Sequence, residues 1–252
     1  MKNRIITNAS LIQPEDILFL KNHCEQINVS FHTANQQLYK KIMGIDDEDV
    51  FDCVINNLKA ISDSTIQLGL FYSPLKSNFD QFFNTVKYLV DSDIQIDELN
   101  LNRIIPTQQS LEYFRKTPKL NKGEHISLIR QLIDIRKAVH IDAFVEAYPV
   151  CFLRTFIDDK LIESINLPCL VGRKVIALNN DSSMKLCPAT GFRISEPIEN
   201  LLSDFNSNPT VRQFQSGLWR NSKCRNCPDW QICYGGCHAS RGELFADDIL
   251  FE

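Results

Sequence analysis

The sequence predicts an α/β protein in two parts: a parallel sheet with helices outside it over residues 1–145, and a small cysteine-rich domain over residues 146–252. Three observations predict this. Short β-rich runs alternate with helical stripes through the first half, the pattern changes after residue 124, and seven of the nine cysteines fall from Cys151 onward. Repeated β-α units imply parallel strands, because each helix carries the chain back to the edge where its strand began. At 252 residues and 44% hydrophobic, the chain can bury a core of its own.

The elements follow in order. "RIIT" and "INVSF" are β-rich, and "PEDILFLKNHC" between them opens with Pro and two acids, as helix N-termini do. "DEDVFDCVINNLKAI" places Val50, Val54, Leu58 and Ile61 on one helical stripe, and "IQLGLF" reads as a buried strand. Phe79, Phe82, Phe83, Val86, Leu89 and Val90 make the next stripe, after which "IDELNLNRIIP" returns to alternation. "HISLIRQLIDIRKAVHIDAFVEAY" reads as one long helical segment, with the domain boundary near its end. Beyond it, "GRKVIALNNDSSMKLCP" reads as a hairpin of two short strands around a polar turn.

The net charge of −4 is built from 27 basic and 31 acidic residues without a long run of either sign. That excludes a general binder of nucleic acid or anionic membrane. No apolar stretch approaches the roughly 18 residues of a membrane span, and "MKNRIITNAS" lacks the apolar core of a signal peptide. The expected location is cytoplasmic. In a reducing compartment, clustered cysteines favour metal over disulfides.

Four of those cysteines lie in "CRNCPDWQICYGGC", with spacing C-x2-C-x5-C-x3-C. A C-x2-C loop turns two sulfurs and the intervening N–H groups toward one centre, which suits zinc or an iron–sulfur cluster. Gly235 and Gly236 let the backbone pass close by. A zinc ribbon uses two C-x2-C knuckles well apart, whereas the second pair here is C-x3-C after only five residues, so the spacing leans toward iron and sulfide. The hairpin brings Cys169 toward Cys187. Both could be plain core cysteines, but each stands beside a proline at a strand end, which favours ligation.

The pattern Cys169-x2-Gly172, Cys187, then Cys224-x2-Cys227-x5-Cys233-x3-Cys237 ending in "GGC" resembles the SPASM domain. This is the auxiliary-cluster domain at the C-terminus of many radical S-adenosylmethionine (SAM) enzymes. "VRQFQSGLWRNSKC" looks like the helix that introduces it. In the first half, "IITNASLI" resembles the third-strand "TNG" region of the radical SAM barrel. "INVSFHTANQQLYKKIMG" resembles the fourth strand, where those enzymes usually read "SLDG", and "LNLNRIIP" a later strand ending near the SAM adenine. The resemblance covers almost the whole chain, and its most specific part is the cysteine spacing. It implies a partial radical SAM (β/α) barrel lacking its first units, followed by a SPASM domain, with one barrel edge open and prone to association.

By this resemblance Cys169, Cys187 and Cys237 hold a first auxiliary [4Fe-4S] cluster, with Cys151 as its candidate fourth ligand. Cys224, Cys227 and Cys233 hold a second, whose fourth position is left to an open iron, His238 or an empty site. Asn8 stands in the place of the "TNG" asparagine, and Ser30 and His32 in those of the Ser and Asp that approach the SAM ribose. At each of the three, an ordinary polar residue at a strand end is the alternative. Two departures stand out. The C-x3-C-x2-C that binds the SAM-reducing cluster does not occur in residues 1–168, where Cys24, Cys53 and Cys151 are too dispersed to replace it. The last SPASM cysteine would fall a few residues past Glu252.

The resemblance thus implies the C-terminal portion of a radical SAM/SPASM enzyme that modifies a peptide or protein and is inactive alone. Its implied partners are SAM, an electron donor and a separate N-terminal radical SAM chain. The alternatives are a non-catalytic iron–sulfur partner of a complete enzyme and a zinc-stabilised interaction module.

Overall fold

A computed structural model describes residues 3–105, 112, 116–146, 148–189, 193–194, 205–216, 224 and 226–237. Strands β1 (Arg4–Thr7), β2 (Gln26–Ser30), β3 (Gln67–Tyr72), β4 (Glu98–Leu101) and β5 (Asp142–Glu146) form one sheet in sequential order, and β6 (Asn166–Leu167) follows later in the chain. Each pairing from β1 to β5 is parallel. The chain divides into two compact units, residues 1–104 with 119–145, and residues 105–118 with 146–252.

In the first unit the connecting helices are α1 (Pro14–Leu20), α2 (Gln36–Met43), α3 (Val50–Ser62), α4 (Phe82–Asp91) and α5 (Lys122–Val139). Strands that advance in one direction through right-handed crossovers must carry all their helices on one face. That is the winding of a β/α barrel, not of a doubly wound sheet. The helix side holds the core: Ile27, Val29, Leu68, Leu70, Leu99, Leu101, Ala143 and Val145 are all 0% exposed. The predicted stripe on α3 is buried, as are Phe82, Val86 and Leu89 of α4. Fully burying one such large apolar side chain contributes about 1.5–3 kcal/mol. β1 heads the sheet, and its Ile6 is 64% exposed.

Local chemistry sets the helix ends. Pro14 opens α1, where Asp16 accepts from the Gln13 N–H. Asn121 caps α5 by accepting from Glu124 N, and Glu124 accepts in return from Asn121 N. The structure corrects one expectation here. The helical segment read through to Tyr148 ends at Val139, where His140 turns left-handed at φ 57°. Residues 142–146 instead form β5, with Ala143 and Val145 turned into the core and Asp142 paired with Glu98.

The second unit contains α6 (Val150–Leu153), α7 (Asp159–Ile165), α8 (Pro209–Gln215), α9 (Trp230–Cys233) and an antiparallel sheet of β7 (Ala177–Leu178), β8 (Met184–Lys185) and β9 (Arg193–Ile194). The expected hairpin is β7-β8, with Ala177 opposite Lys185. Its turn is closed by Asn179 N donating to Ser183 O at 2.8 Å, and Ser183 donates to Asp181 Oδ1. Met184, Leu186 and Ile194 pack on Val211 and Phe214 of α8. Among the described residues no helix is long and apolar enough to cross a membrane.

Candidate functional site

Register places the first group of candidates. Thr7 pairs with Val29, so Asn8 stands beside Ser30 at the carboxyl ends of β1 and β2, with His32 two residues on. In parallel α/β sheets that end carries the ligand-binding loops. Asn8 Oδ1 is engaged locally, accepting from Ser10 N at 3.1 Å and Ser10 Oγ at 2.9 Å. From α3, Asn57 Nδ2 donates to the carbonyls of Ala9 and Ile12 and locks this loop.

His32 is more informative. Its Nδ1 accepts from Ser73 N at 3.2 Å, which leaves Nε2 to carry the proton of the neutral ring. The fully buried Asn78 donates to His32 O at 2.9 Å and fixes the loop after β2. Burial lowers the His32 pKa from 6.5 to about 4. His32 therefore presents an uncharged N–H donor at Nε2.

The pH dependence follows. Between pH 6.5 and 4 the unfolded chain holds a proton that the folded chain lacks, so stability falls as pH falls through that window. The loss reaches about 3 kcal/mol near pH 4, at about 1.36 kcal/mol per pKa unit. A His32→Asn variant keeps an acceptor for the Ser73 N–H but does not titrate. Its urea-unfolding stability should decline less steeply by that amount over this window, and a curve parallel to the parent's would refute a neutral imidazole.

Sequence reading missed a second group of residues. On the sheet face opposite the helices, Gln26, Asn28 and Asn100 are buried at 1%, 4% and 1% exposure. Gln26 Nε2 donates to Asn28 Oδ1 at 2.8 Å, and Asn100 Nδ2 to Glu98 Oε1 at 2.7 Å. Gly69, opposite Asn28, makes room, since a Cβ there would collide with Asn28 Oδ1. Among the described residues, Asn100 Oδ1 and Asn102 Oδ1 are buried acceptors without a hydrogen bond. The signal was present in the alternating polar positions of "QINVS" and "ELNLN". Strands of a parallel sheet covered on both faces by helices read as continuous apolar runs; polar residues at every second position mark an inner polar face.

The cysteines of the second unit fall into two neighbourhoods. Cys187 packs with Ala189 against Val171, Ile105 and Cys237. Cys151 is within electrostatic reach of Cys233, Cys224 and Cys227. Burial first, and then these three neighbours, push its thiol pKa up. None of the nine cysteines is in a disulfide.

Cys233 shows how the backbone prepares a sulfur. Tyr234, Gly235 and Gly236 all have positive φ, at 50°, 76° and 74°, so their turn directs successive N–H groups inward. Cys233 Sγ accepts from Gly235, from Gly236 and, at 3.3 Å, from Val150 N. Burial still leaves its pKa raised. The Arg173 guanidinium covers the Tyr234 ring at 3.7 Å. Among the described residues, no three His, Cys, Asp or Glu side chains are arranged to hold a single metal ion. Soft thiols that receive amide N–H groups fit an iron–sulfur cluster. His238 lies outside the described residues.

No family model matches the chain. A curated relative, a probable GTP 3',8-cyclase of Sulfurisphaera tokodaii, is 30% identical over 184 residues, 72% of this chain and 55% of that protein. Streptococcus suis SuiB bound to S-adenosylmethionine matches 99% of this chain with TM-score 0.69 and 18% identity. anSMEcpe with bound AdoMet matches 98% with TM-score 0.68 and 13% identity. The chain has the radical SAM fold. It spans 59% of SuiB and 65% of anSMEcpe. Within this radical SAM fold, Asn8, Ser30 and His32 stand at the carboxyl ends of adjacent strands, and the seven cysteines from Cys151 to Cys237 lie in the second unit.

Proposed function

We propose that this chain is the C-terminal portion of a radical SAM/SPASM enzyme that modifies a peptide or protein in the cytoplasm, its second unit holding auxiliary [4Fe-4S] clusters. The observation that carries the reading is the gathering of thiols from separate stretches of one unit around a sulfur already supplied with backbone N–H donors. Cys169, Cys187 and Cys237 are the ligands of one centre, and Cys224, Cys227 and Cys233 of another. Asn8, Ser30 and His32 are the contacts for SAM, with His32 donating from Nε2. An iron–sulfur cluster supplies single electrons when bound, and the chain's part is to hold it, exclude water and stabilise negative sulfur.

A peptide substrate is supported by the structural match to anSMEcpe with bound AdoMet and Cp18Cys peptide, at TM-score 0.65 and 16% identity. The remaining partners in this reading are an electron donor and a polypeptide bearing C-x3-C-x2-C. A nucleotide in the peptide's place is the second reading, favoured by the cyclase relative. Saturable binding of GTP, with no response to peptides, would select it.

The test is composition. Protein purified without oxygen should be brown and carry iron and acid-labile sulfide in equal amounts. Colourless protein with stoichiometric zinc and no sulfide would overturn the reading in favour of an interaction module.

A further inference from the structure

We propose that Cys151 is the fourth thiolate of the centre held by Cys224, Cys227 and Cys233, and is not a ligand of the Cys169, Cys187 and Cys237 centre. The inference rests on the cluster reading and deepens it. Sequence spacing could not decide the point, because Cys151 stands well before both groups.

The structure decides it through α6. This helix has four residues, Val150–Leu153, too few to persist alone, so its place is set by what holds it. It is held to the 224–233 stretch on both sides of Cys151. Before it, Val150 N donates to Cys233 Sγ at 3.3 Å. After it, Arg154 grips Asp229 with two bonds, Nη1 to Oδ2 at 2.5 Å and Nη2 to Oδ1 at 3.1 Å. Asp229 is two residues beyond Cys227, whose Sγ lies 4.0 Å from Oδ2. Arg154 Nε also donates to Asp159 at 2.7 Å, so the guanidinium is fixed by two carboxylates.

Cys151 thus stands between two anchors that both end on the Cys224–Cys233 stretch. The Phe152 N–H donates to its sulfur, the same service that Cys233 receives. Cys187 and Cys237 pack with Val171, Ala189 and Ile105. On ligation the Cys151 thiol loses its proton to solvent and its sulfur bonds iron. A fourth thiolate leaves no iron of that centre open, so the centre is suited to passing electrons and not to binding a substrate atom.

The experiment uses the full chain reconstituted anaerobically with ferrous iron and sulfide. Iron and sulfide are counted, and the dithionite-reduced protein is followed by electron paramagnetic resonance. The parent should show two centres. Cys151→Ala should lose or alter one of them, with the same spectrum and iron content as Cys227→Ala, and the double variant should lose nothing more. Adding Cys187→Ala to Cys151→Ala should remove the remaining centre. A Cys151→Ala spectrum equal to the parent's, or equal to that of Cys187→Ala, overturns the assignment while leaving the cluster reading intact. Parent protein without iron and sulfide overturns both.

A second measurement needs no variant. Cys151 is exposed in the structure, so apo protein should be alkylated there by iodoacetamide. Loading with iron and sulfide should protect Cys151 at least tenfold, together with Cys224, Cys227 and Cys233. Equal alkylation of Cys151 in loaded and apo protein overturns the proposal.

Discussion

Replacing Gly172 by alanine is expected to destabilise the cysteine-bearing unit by about 2–5 kcal/mol. The residue sits at φ +66°, where an L side chain costs about 1–2 kcal/mol. A Cβ there would also lie 2.5 Å from Cδ1 of Phe214, which is 1% exposed and packed among Met184, Leu186, Ile194 and Val211. Phe214 is itself part of this buried cluster, and overpacking a filled core adds about 1–3 kcal/mol. The Gly172 carbonyl also accepts from Gln215 Nε2 at 2.8 Å, so any shift of the turn breaks a second tie to α8. Gly44 is the control. It has the same φ of +66°, but a Cβ added there would meet nothing within 4 Å, so Gly44→Ala should show only the backbone cost. Both tryptophans, Trp219 and Trp230, belong to residues 146–252, so fluorescence follows the second unit and circular dichroism the whole chain. Equal losses for the two substitutions would show that Phe214 gives way. Because Gly172 is three residues from Cys169, iron bound at the centre proposed there should fall with stability.

Gly172 also shows what a sequence carries and what it withholds. Its place in Cys169-x2-Gly172 was legible as pattern, but the ring that makes it obligatory lies 42 residues away in α8. The parallel sheet was legible because short β-rich runs alternate with helical stripes, and the β7-β8 hairpin because two β-rich runs flank "NNDSS". β5 was not, since five alternating residues directly after an eighteen-residue helix read as more helix until His140 is seen to turn left-handed. Asn28 was read as strand but not as lining, because alternation alone does not say which face is covered. The Cys151 assignment was beyond reach for a different reason. It depends on a bond spanning 83 residues, Val150 N to Cys233 Sγ, and no spacing rule encodes that distance.

The polypeptide of residues 1–252 is expected to release no 5′-deoxyadenosine from SAM, even when its clusters are loaded and reduced. Reductive cleavage needs an iron free of cysteine, on which the amino and carboxylate groups of SAM can chelate, and C-x3-C-x2-C supplies it by offering three thiolates for four irons. That motif does not occur in residues 1–168. In the proposed arrangement the centre at Cys224, Cys227 and Cys233 would be an exception if it kept an open iron, and Cys151 would close it. The centre proposed at Cys169, Cys187 and Cys237 would retain three thiolates, so it is the arrangement that could defeat the prediction. Loaded protein would be incubated with dithionite and SAM, and 5′-deoxyadenosine measured against a Cys169→Ala, Cys187→Ala control. Product above that control would place SAM chemistry in the second unit and sink the claim. Product that depends on Cys151 being removed would show instead that the fourth thiolate is what keeps SAM off the other centre. Product that appears only when a second polypeptide bearing C-x3-C-x2-C is added would assign cleavage to that chain. The polar ends of β1 and β2 would then hold the nucleoside, with the neutral His32 donating to it, and His32→Asn should weaken SAM binding to the pair without changing the iron content of either.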